Sequence, residues 1–198
     1  MARNGNANHP RRGSMITVEP IKSTRDIATI KRLLADRPRD LALFVIGINT
    51  ALRGSDLVSL TAGEVRAILA DPDGAAKREQ KTGKKRRLTA NTAVREVLAR
   101  LLATREFADD ERIFQGQRGP ITTQYLWQLV KGWCEAINLP GHYGAHTLRK
   151  TWGYHQRVTF GVDIPTLMEI FGHATQRQTL DYLCIQPEEI RSVYANVL

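Results

Sequence analysis

Hydrophobic residues recur with a helical period over most of this chain. Between residues 27 and 34 the apolar positions are spaced by three and four residues, which is the spacing along one face of an amphipathic helix. Ser23 stands before this stretch and can cap it, because a serine hydroxyl accepts a hydrogen bond from a free backbone N–H of the first turn. The next stretch, from Asp40 to about Leu52, is apolar nearly all round, so we expect a buried helix there.

Further helices are predicted along the chain wherever this period returns. Pro187 stands just before the last of them, where its fixed φ angle suits the start of a helix. The expected bounds are Ser55 to about Leu60, Thr92 to Ala103, Thr122 to Ile137, Gly144 to Phe160, Ile164 to Phe171, Thr175 to Leu183 and Glu188 to Val197.

The middle of the chain has a different pattern. Residues 64–70 and 77–88 are accompanied by turn-forming residues at Asp71–Gly74 and Lys81–Lys84. We interpret this region as a small antiparallel sheet of two or three strands with a tight turn between residues 81 and 84. The predicted fold class is therefore mainly α with a small antiparallel β-sheet, an α+β arrangement.

Length and charge narrow the function. The chain has 198 residues and a net charge of +9, which suits one domain with a tail. Residues 1–18 are basic and lack periodicity, so we expect a flexible tail followed by a single domain over residues 19–198. A hydrophobic fraction of 42% is enough for a buried core. The excess of positive charge makes nucleic acid the leading partner.

Several other classes of protein are excluded. No stretch approaches the ~18 apolar residues of a membrane span, and the basic N-terminus lacks the apolar region of a secretory signal. Cys134 and Cys184 stand 50 residues apart with no CxxC spacing, which excludes a disulfide framework and a structural zinc site. We therefore expect a cytoplasmic protein with two buried thiols.

Two segments contain side chains that can bind a phosphate group. Arg53 directly follows the buried helix, and Asp56 is close enough in sequence to hold its guanidinium. His146 and Arg149 are spaced i, i+3, so they share one face of a predicted helix. A guanidinium there can donate two parallel hydrogen bonds to phosphate oxygens. Taken singly, each of these residues is equally consistent with an ordinary surface or helix-end role.

Two further segments supply His173 and Tyr182. An apolar helix ends at a glycine and presents His173, and Tyr182 follows nine residues later in an amphipathic turn.

A metal-dependent nuclease is disfavoured, because the carboxylates near residues 71–73 and 109–111 belong to turn-like segments.

Five blocks of sequence, in this order, resemble the tyrosine recombinase (phage integrase) family: ALRGSDLVSL, the QKTGK turn, HTLRKTWGYH, IFGH and TLDYL. The resemblance extends from about Ile21 to Leu198, and the order and spacing of the last blocks are highly specific. It implies the catalytic-domain fold of this family and a site-specific DNA recombinase of the integrase or invertase type. In such enzymes a tyrosine oxygen attacks a DNA phosphodiester and forms a 3′-phosphotyrosyl intermediate, without metal or ATP.

The resemblance also implies roles for individual residues. Tyr182 matches the nucleophile, and Arg53 and Arg149 match the arginines that stabilise the charged phosphate in the transition state. His146 matches the histidine of the HxxR motif, which binds a phosphate oxygen or assists proton transfer. His173 matches the later histidine, which donates to the same phosphate.

Lys81 matches the family's lysine in the sheet, which protonates the leaving 5′-oxygen, and Asp56 matches an acidic residue that orients the first arginine. Other basic residues are expected to contact the phosphates of the DNA backbone. This DNA-binding set comprises Lys84, Lys85, Arg86, Arg87 and Lys150. Neither a cofactor nor a metal site is expected.

Most family members carry a separate helical domain before the catalytic one, and we expect no such core-binding domain in this chain. In the family the C-terminal helix packs on a neighbouring protomer, so residues 188–198 are expected to link a tetramer on synapsed DNA. Without DNA we expect a monomer or weak oligomer, located with the nucleoid in the cytoplasm and not on a membrane. Two alternatives stay open: a type IB topoisomerase, and a non-catalytic DNA-binding protein of the same fold.

Overall fold

The computed structural model describes residues 17–79, 83 and 85–184. Within these residues the fold is mainly helical with two small antiparallel sheets, which confirms the predicted class. The helices are α1 (Thr24–Leu33), α2 (Pro38–Gly47), α3 (Gly54–Val58), α4 (Ala62–Ala70), α5 (Thr92–Leu102), α6 (Thr123–Ala136), α7 (Ala145–Val158), α8 (Ile164–Phe171) and α9 (Gln176–Leu183). The strands are β1 (Ala75–Arg78), β2 (Lys85–Leu88), β3 (Gln115–Gly116) and β4 (Gly119–Pro120).

Helix α2 ends at Gly47, earlier than the prediction. Asn49 and Thr50 donate side-chain hydrogen bonds of 2.8 Å to carbonyl oxygens of its last turn, and such local bonds compete with continuation of a helix. Ala51 then adopts a left-handed backbone conformation with φ 38°, which is uncommon for a residue other than glycine. The chain therefore turns before Arg53, which begins α3 rather than ending α2.

Residues 64–70, which the sequence analysis assigned to the sheet, form most of α4 instead. A capping box starts this helix: the Glu64 N–H donates to the Thr61 hydroxyl at 3.3 Å, and the Thr61 N–H donates to the Glu64 carboxylate at 3.1 Å. These bonds satisfy donors that the first helical turn leaves free. The strand prediction was wrong because it weighed the apolar residues and overlooked this start signal. Lys77 of β1 donates to the same carboxylate at 2.9 Å and ties the sheet to α4.

Strands β1 and β2 form the predicted hairpin, with Ala75 opposite Leu88 and Arg78 opposite Lys85. Of its turn, residues 80–82 and 84 lie outside the described residues. The hairpin of β3 and β4 was not predicted, because strands of two residues each are too short to show an alternating pattern.

The main core lies around α2, whose residues 42–46 are all buried, as predicted. Phe44 of this helix meets Trp133 of α6 edge to face, with ring centroids 5.9 Å apart, a favoured aromatic geometry. A smaller buried cluster joins α7, α8 and α9 to the loop before α3. Its buried members are Ala51, Leu167, Phe171 and Leu183.

Two core predictions need correction. The apolar helical neighbours of Trp127, Trp133 and Trp152 predict that all three belong to the core, but Trp127 is 39% exposed. Cys134 is buried, and burial raises the pKa of its thiol to about 12. Cys184 was also expected to be buried, but it is only half-buried, because it is the C-cap residue at the end of α9. In the described part of the chain, no helix combines the length and apolar character needed to cross a membrane.

Candidate active site

The start of α3 carries the first candidate cation. Arg53 is the N-cap residue of this helix, and its guanidinium pairs with the carboxylate of Glu79 at 2.6 Å. Both side chains are less than one-fifth exposed. Asp56, the carboxylate expected to orient this arginine, is buried in the first turn of the same helix. Arg53 is therefore held at the edge of the interior by an ion pair with Glu79, a residue of the β1–β2 hairpin.

Helix α7 carries the second cation. Arg149 is 4% exposed, and its Nη2 donates to the carbonyl oxygen of Phe171 at 3.1 Å. His146 is exposed in the first turn of the same helix. Thr147 fixes this turn by accepting a hydrogen bond of 3.0 Å from the Gly144 N–H. The HxxR segment is thus helical, as predicted, with its arginine turned inward and its histidine at the surface.

The ring of Phe171 lies between the candidate catalytic groups. It stacks on the imidazole of His173, with centroids 5.2 Å apart and an interplanar angle of 25°. The ring of Tyr182 lies 5.0 Å from it, and the guanidinium carbon of Arg149 lies 5.1 Å from its centre. Gly172 permits this arrangement, because its left-handed φ of 69° ends α8 and turns the chain toward His173.

Tyr182 lies near the end of α9. Its hydroxyl oxygen is buried and has no hydrogen-bond partner among the described residues. Burial raises the pKa of the Tyr182 hydroxyl to about 12, while the positive charges of Arg149 and Arg53 act in the opposite direction. At pH 7 the phenol is therefore neutral, and an attack by its oxygen requires loss of the proton during the reaction.

His173 packs edge-on against Tyr182, with ring centroids 5.1 Å apart. Its Nδ1 lies 2.9 Å from the Thr179 hydroxyl, one turn before Tyr182 on α9. Burial, followed by the charges of Arg149 and Arg53, lowers the pKa of His173. The imidazole is thus neutral at pH 7 and offers one N–H donor and one acceptor. With the Thr179 hydroxyl on Nδ1, Nε2 is the nitrogen that can meet a ligand oxygen.

The β1–β2 hairpin carries most of the predicted DNA-binding cations. Lys85 and Arg87 are exposed on β2, which a contact to backbone phosphates requires. Arg87 also donates a hydrogen bond of 2.7 Å to the carbonyl oxygen of Asp73, so its guanidinium is held along the hairpin. Arg86 occupies the position in β2 opposite Lys77.

The remaining predicted lysines lie elsewhere. Lys81, the predicted general acid, and Lys84 fall outside the described residues. Lys150 is only 4% exposed, and its ammonium lies over the Tyr182 ring. This placement corrects the sequence-based assignment: Lys150 follows Arg149 on the inward face of α7, so it is not one of the exposed cations that could hold a duplex.

Three residues of the site were not found by sequence reasoning. Thr179 could have been found, because it precedes Tyr182 by three residues on the predicted helix and so shares its face. Phe171 directly precedes the Gly-His pair, but an apolar residue at a helix end is usually core. Glu79 stands among basic residues before the turn, and nothing in its local spacing indicates that it meets Arg53.

The assembled side chains suit an anionic substrate with a reactive centre. The arginines offer planar donor pairs that match phosphate oxygens, while the histidines and the phenol can exchange protons. No group of three or more His, Cys, Asp and Glu side chains that could hold a metal ion occurs among the described residues.

Gly153 on α7 lets α8 and α9 pack closely. A Cβ atom at this position would lie 2.5 Å from Phe171 Cζ and 2.6 Å from Leu183 Cδ2. We expect Gly153→Ala to reduce the free energy of unfolding in urea by about 1–3 kcal/mol, since it forces both side chains to move. Gly132→Ala is the matched control, because Gly132 is also within a helix and its Cβ would meet nothing within 4 Å. A Gly153→Ala protein as stable as this control would contradict the close packing.

Comparison with known proteins identifies relatives of this chain. The chain matches the model of the phage integrase family over residues 24–189. It is 32% identical over 185 residues to the probable integrase/recombinase YoeC of Bacillus subtilis (strain 168), a match that covers 91% of this chain and 97% of YoeC. It is 28% identical over 162 residues to the tyrosine recombinase XerD of Corynebacterium glutamicum, covering 79% of this chain and 51% of XerD. The chain thus spans nearly all of YoeC and about half the length of XerD.

Solved structures share the fold. The XerA recombinase superposes with a TM-score of 0.74 at 19% identity, over 93% of this chain and 66% of XerA. The XerH recombinase bound to its palindromic difH substrate gives a TM-score of 0.69 at 18% identity, over 92% of this chain and 53% of XerH. These likenesses confirm the predicted catalytic-domain fold. Together with the family model and the match to YoeC, they show that this chain belongs to the phage integrase family of tyrosine recombinases.

Proposed function

We propose that this chain is a site-specific recombinase that cleaves and rejoins DNA through Tyr182. The observation that carries the proposal is the buried Tyr182 hydroxyl, which forms no hydrogen bond with any described residue. Such a buried and unbonded hydroxyl is costly, and it lies beside His173 and within the field of Arg53 and Arg149. If the side chain at position 182 served packing alone, a phenylalanine would fill the same space without the cost of the buried hydroxyl.

The proposed reaction conserves one phosphodiester bond at each step. The Tyr182 oxygen bonds to phosphorus as it loses its proton, and the bond from phosphorus to the 5′-oxygen breaks. The leaving 5′-oxygen gains a proton, for which Lys81 is the proposed donor. Rejoining reverses the step: a 5′-hydroxyl attacks the phosphotyrosine and releases Tyr182. No external energy source is needed, because the energy of the broken bond is kept in the phosphotyrosyl link.

The proposed roles of the cations follow from charge. The transition state places negative charge on the non-bridging phosphate oxygens, which preorganised donors stabilise in a site shielded from water. Arg53 and Arg149 are the donors, and in this structure Arg53 already binds an anionic group, the Glu79 carboxylate. His146 and His173 are proposed to donate further hydrogen bonds to the same phosphate.

The proposed partner is double-stranded DNA, and the proposed assembly is a tetramer on two synapsed duplexes, linked by residues 188–198. Two observations support DNA. The XerH structure is that of a recombinase bound to its difH substrate, and the cations Lys85 and Arg87 are exposed on β2. Residues 188–198 lie outside the described residues. The division into a tail over residues 1–18 and a domain over residues 19–198 stays a prediction.

The proposal is tested with a pool of labelled duplexes that carry a randomised core and a nick beside it. After cleavage the short strand at the nick diffuses away, so the enzyme is trapped on DNA. We expect a covalent adduct on a denaturing gel in buffer with a chelator and without ATP. Binding to duplexes without any adduct would overturn the proposal in favour of a non-catalytic DNA-binding protein. Relaxation of supercoiled DNA without exchange between two sites recovered from the pool would favour a topoisomerase.

A further inference from the structure

Lys150 is a buried cation without an anionic partner in the described structure. Its side chain is among the buried charged groups at 4% exposure. Among the described residues its hydrogen-bond partner is the thiol of Cys184, at 3.3 Å from Nζ. No carboxylate within this part of the chain forms an ion pair with it. The other close group is the Tyr182 ring, whose centre lies 5.0 Å from Nζ.

A buried ammonium with only a thiol as partner lowers the free energy of unfolding. Moving an ammonium out of water carries a penalty that a weak thiol acceptor offsets poorly. A methionine has a similar length and would fill the same space without this penalty. The other buried lysine, Lys77, shows the usual solution, because it donates to the Glu64 carboxylate at 2.9 Å. Within the described residues, packing and stability therefore do not account for a positive charge at position 150.

The Lys150 ammonium contacts the segment that carries Tyr182, the proposed nucleophile. The ammonium contacts both Tyr182 and Cys184, that is, the ring and the end of α9 where the chain takes a left-handed conformation with φ 54°. A cation over the face of an aromatic ring attracts its electron density, and this attraction grows when the ring becomes a phenolate with a full negative charge.

We propose that Lys150 is a positioning residue for the cleavage reaction, which holds the ring of Tyr182 in place and favours its ionised form. The inference rests on the proposed function of Tyr182 as the nucleophile. Lys150 makes no contact with the phosphate in this role, because it acts through the tyrosine. Arg149, the preceding residue of α7, is the proposed donor to the phosphate.

The sign of the expected pH effect follows from the groups around Tyr182. Burial raises the pKa of the tyrosine, and the positive charges of Arg149 and Arg53 lower it, from α7 and from the start of α3. His173 is neutral at pH 7, and the neighbouring Cys184 thiol raises the pKa of Tyr182. At pH 7 a lysine carries its charge, and the Lys150 ammonium over the ring favours the negative charge that develops on the Tyr182 oxygen during attack. Removing this charge should therefore slow the attack at neutral pH.

The test compares Lys150→Met and Lys150→Arg with the parent chain. Single-turnover formation of the adduct is measured against pH. We expect Lys150→Met to shift the rising limb by about one unit toward higher pH and to slow cleavage at pH 7 about tenfold, as one pKa unit implies. Lys150→Arg keeps the charge and should recover most of the rate. Lys131→Met is the control, because Lys131 also lies over an aromatic ring, that of Trp127 at 5.6 Å, but at the exposed surface of α6.

A second measurement is independent of DNA cleavage. The near-ultraviolet absorbance of tyrosinate is titrated in each protein with and without Tyr182→Phe, so that the difference reports Tyr182 alone. Tyr182 ionises near pH 12, where a free lysine is already neutral and an arginine is still charged. The midpoint should therefore stay in place in Lys150→Met and move to lower pH in Lys150→Arg. An unchanged rate in Lys150→Met would overturn the inference, as would equal losses of rate in both variants or an unchanged midpoint in Lys150→Arg. If no protein cleaves DNA, the proposed function fails, while the titration still decides whether Lys150 acts on Tyr182.

Discussion

Tyr182→Phe is expected to abolish the covalent DNA adduct and to leave the fold intact. The substitution removes one oxygen atom, and that oxygen is the proposed nucleophile. Its loss breaks no hydrogen bond to a described residue, and the ring keeps its contacts with Phe171 and His173. Because a buried hydroxyl without a partner is unfavourable, the melting temperature should stay equal or rise. Adduct formation with nicked duplexes and thermal unfolding, measured on the same preparation, check both parts.

Tyr125→Phe is the matched control for this substitution. Tyr125 lies on α6, and its side chain is 39% exposed, away from the cluster around Phe171. It should form the adduct at the parental rate. An adduct that persists in Tyr182→Phe would show that another residue is the nucleophile. Loss of the adduct in both variants would point to damage of the preparation or the fold, which the melting curves would show directly.

Arg149→Lys is expected to slow cleavage about 10²- to 10³-fold, the usual cost of losing a preorganised donor to a charged transition state. Lysine keeps the positive charge but lacks the planar fork of donors that matches phosphate oxygens. One donor of Arg149 also holds the carbonyl oxygen of Phe171 at 3.1 Å, so the substitution should cost about 1 kcal/mol of stability for that bond. Single-turnover rates at saturating DNA separate the effect on chemistry from the effect on binding.

Arg157→Lys provides the control on the same helix. Arg157 is exposed near the end of α7 and donates to the carbonyl oxygen of Val162 at 3.2 Å, away from the site. Its rate of cleavage should stay within about twofold of the parent, as expected for a surface substitution with an energetic effect below ~0.5 kcal/mol. If Arg149→Lys cleaves as fast as Arg157→Lys, then charge alone suffices at position 149 and the role of the guanidinium fork is refuted.

The sequence allowed most of the helical fold to be predicted because its signals are local. The hydroxyl of Ser23 caps α1 as expected, with a hydrogen bond of 3.2 Å from the Asp26 N–H. Helix α8 has the predicted bounds, since Pro165 lies in its first turn and Gly172 ends it. The residues matched to the family motif could also be named in advance. Of these, the structure gathers Arg149, His173 and Tyr182 around one ring.

The parts that could not be predicted depend on distant contacts. Glu79 meets Arg53 only because the hairpin folds back over α3, and the sequence between them carries no sign of it. The direction of Lys150 is a similar case. Its neighbours Arg149 and Thr151 do not indicate which way it points, and only the packing of α9 on α7 decides that its charge faces Tyr182. Local spacing identifies which side chains can bind a phosphate, but tertiary packing decides which of them face inward.

The shared position of the Phe171 ring has a consequence for any mutational study of this enzyme. One side chain touches a guanidinium, an imidazole and a phenol, and its backbone carbonyl holds the same guanidinium. A displacement of this ring therefore moves three groups at once. Energetic effects of residues in contact do not add, so the losses measured for single substitutions in this cluster will overlap. Double-mutant cycles through position 171 are the suitable measure of how strongly Arg149, His173 and Tyr182 depend on one another.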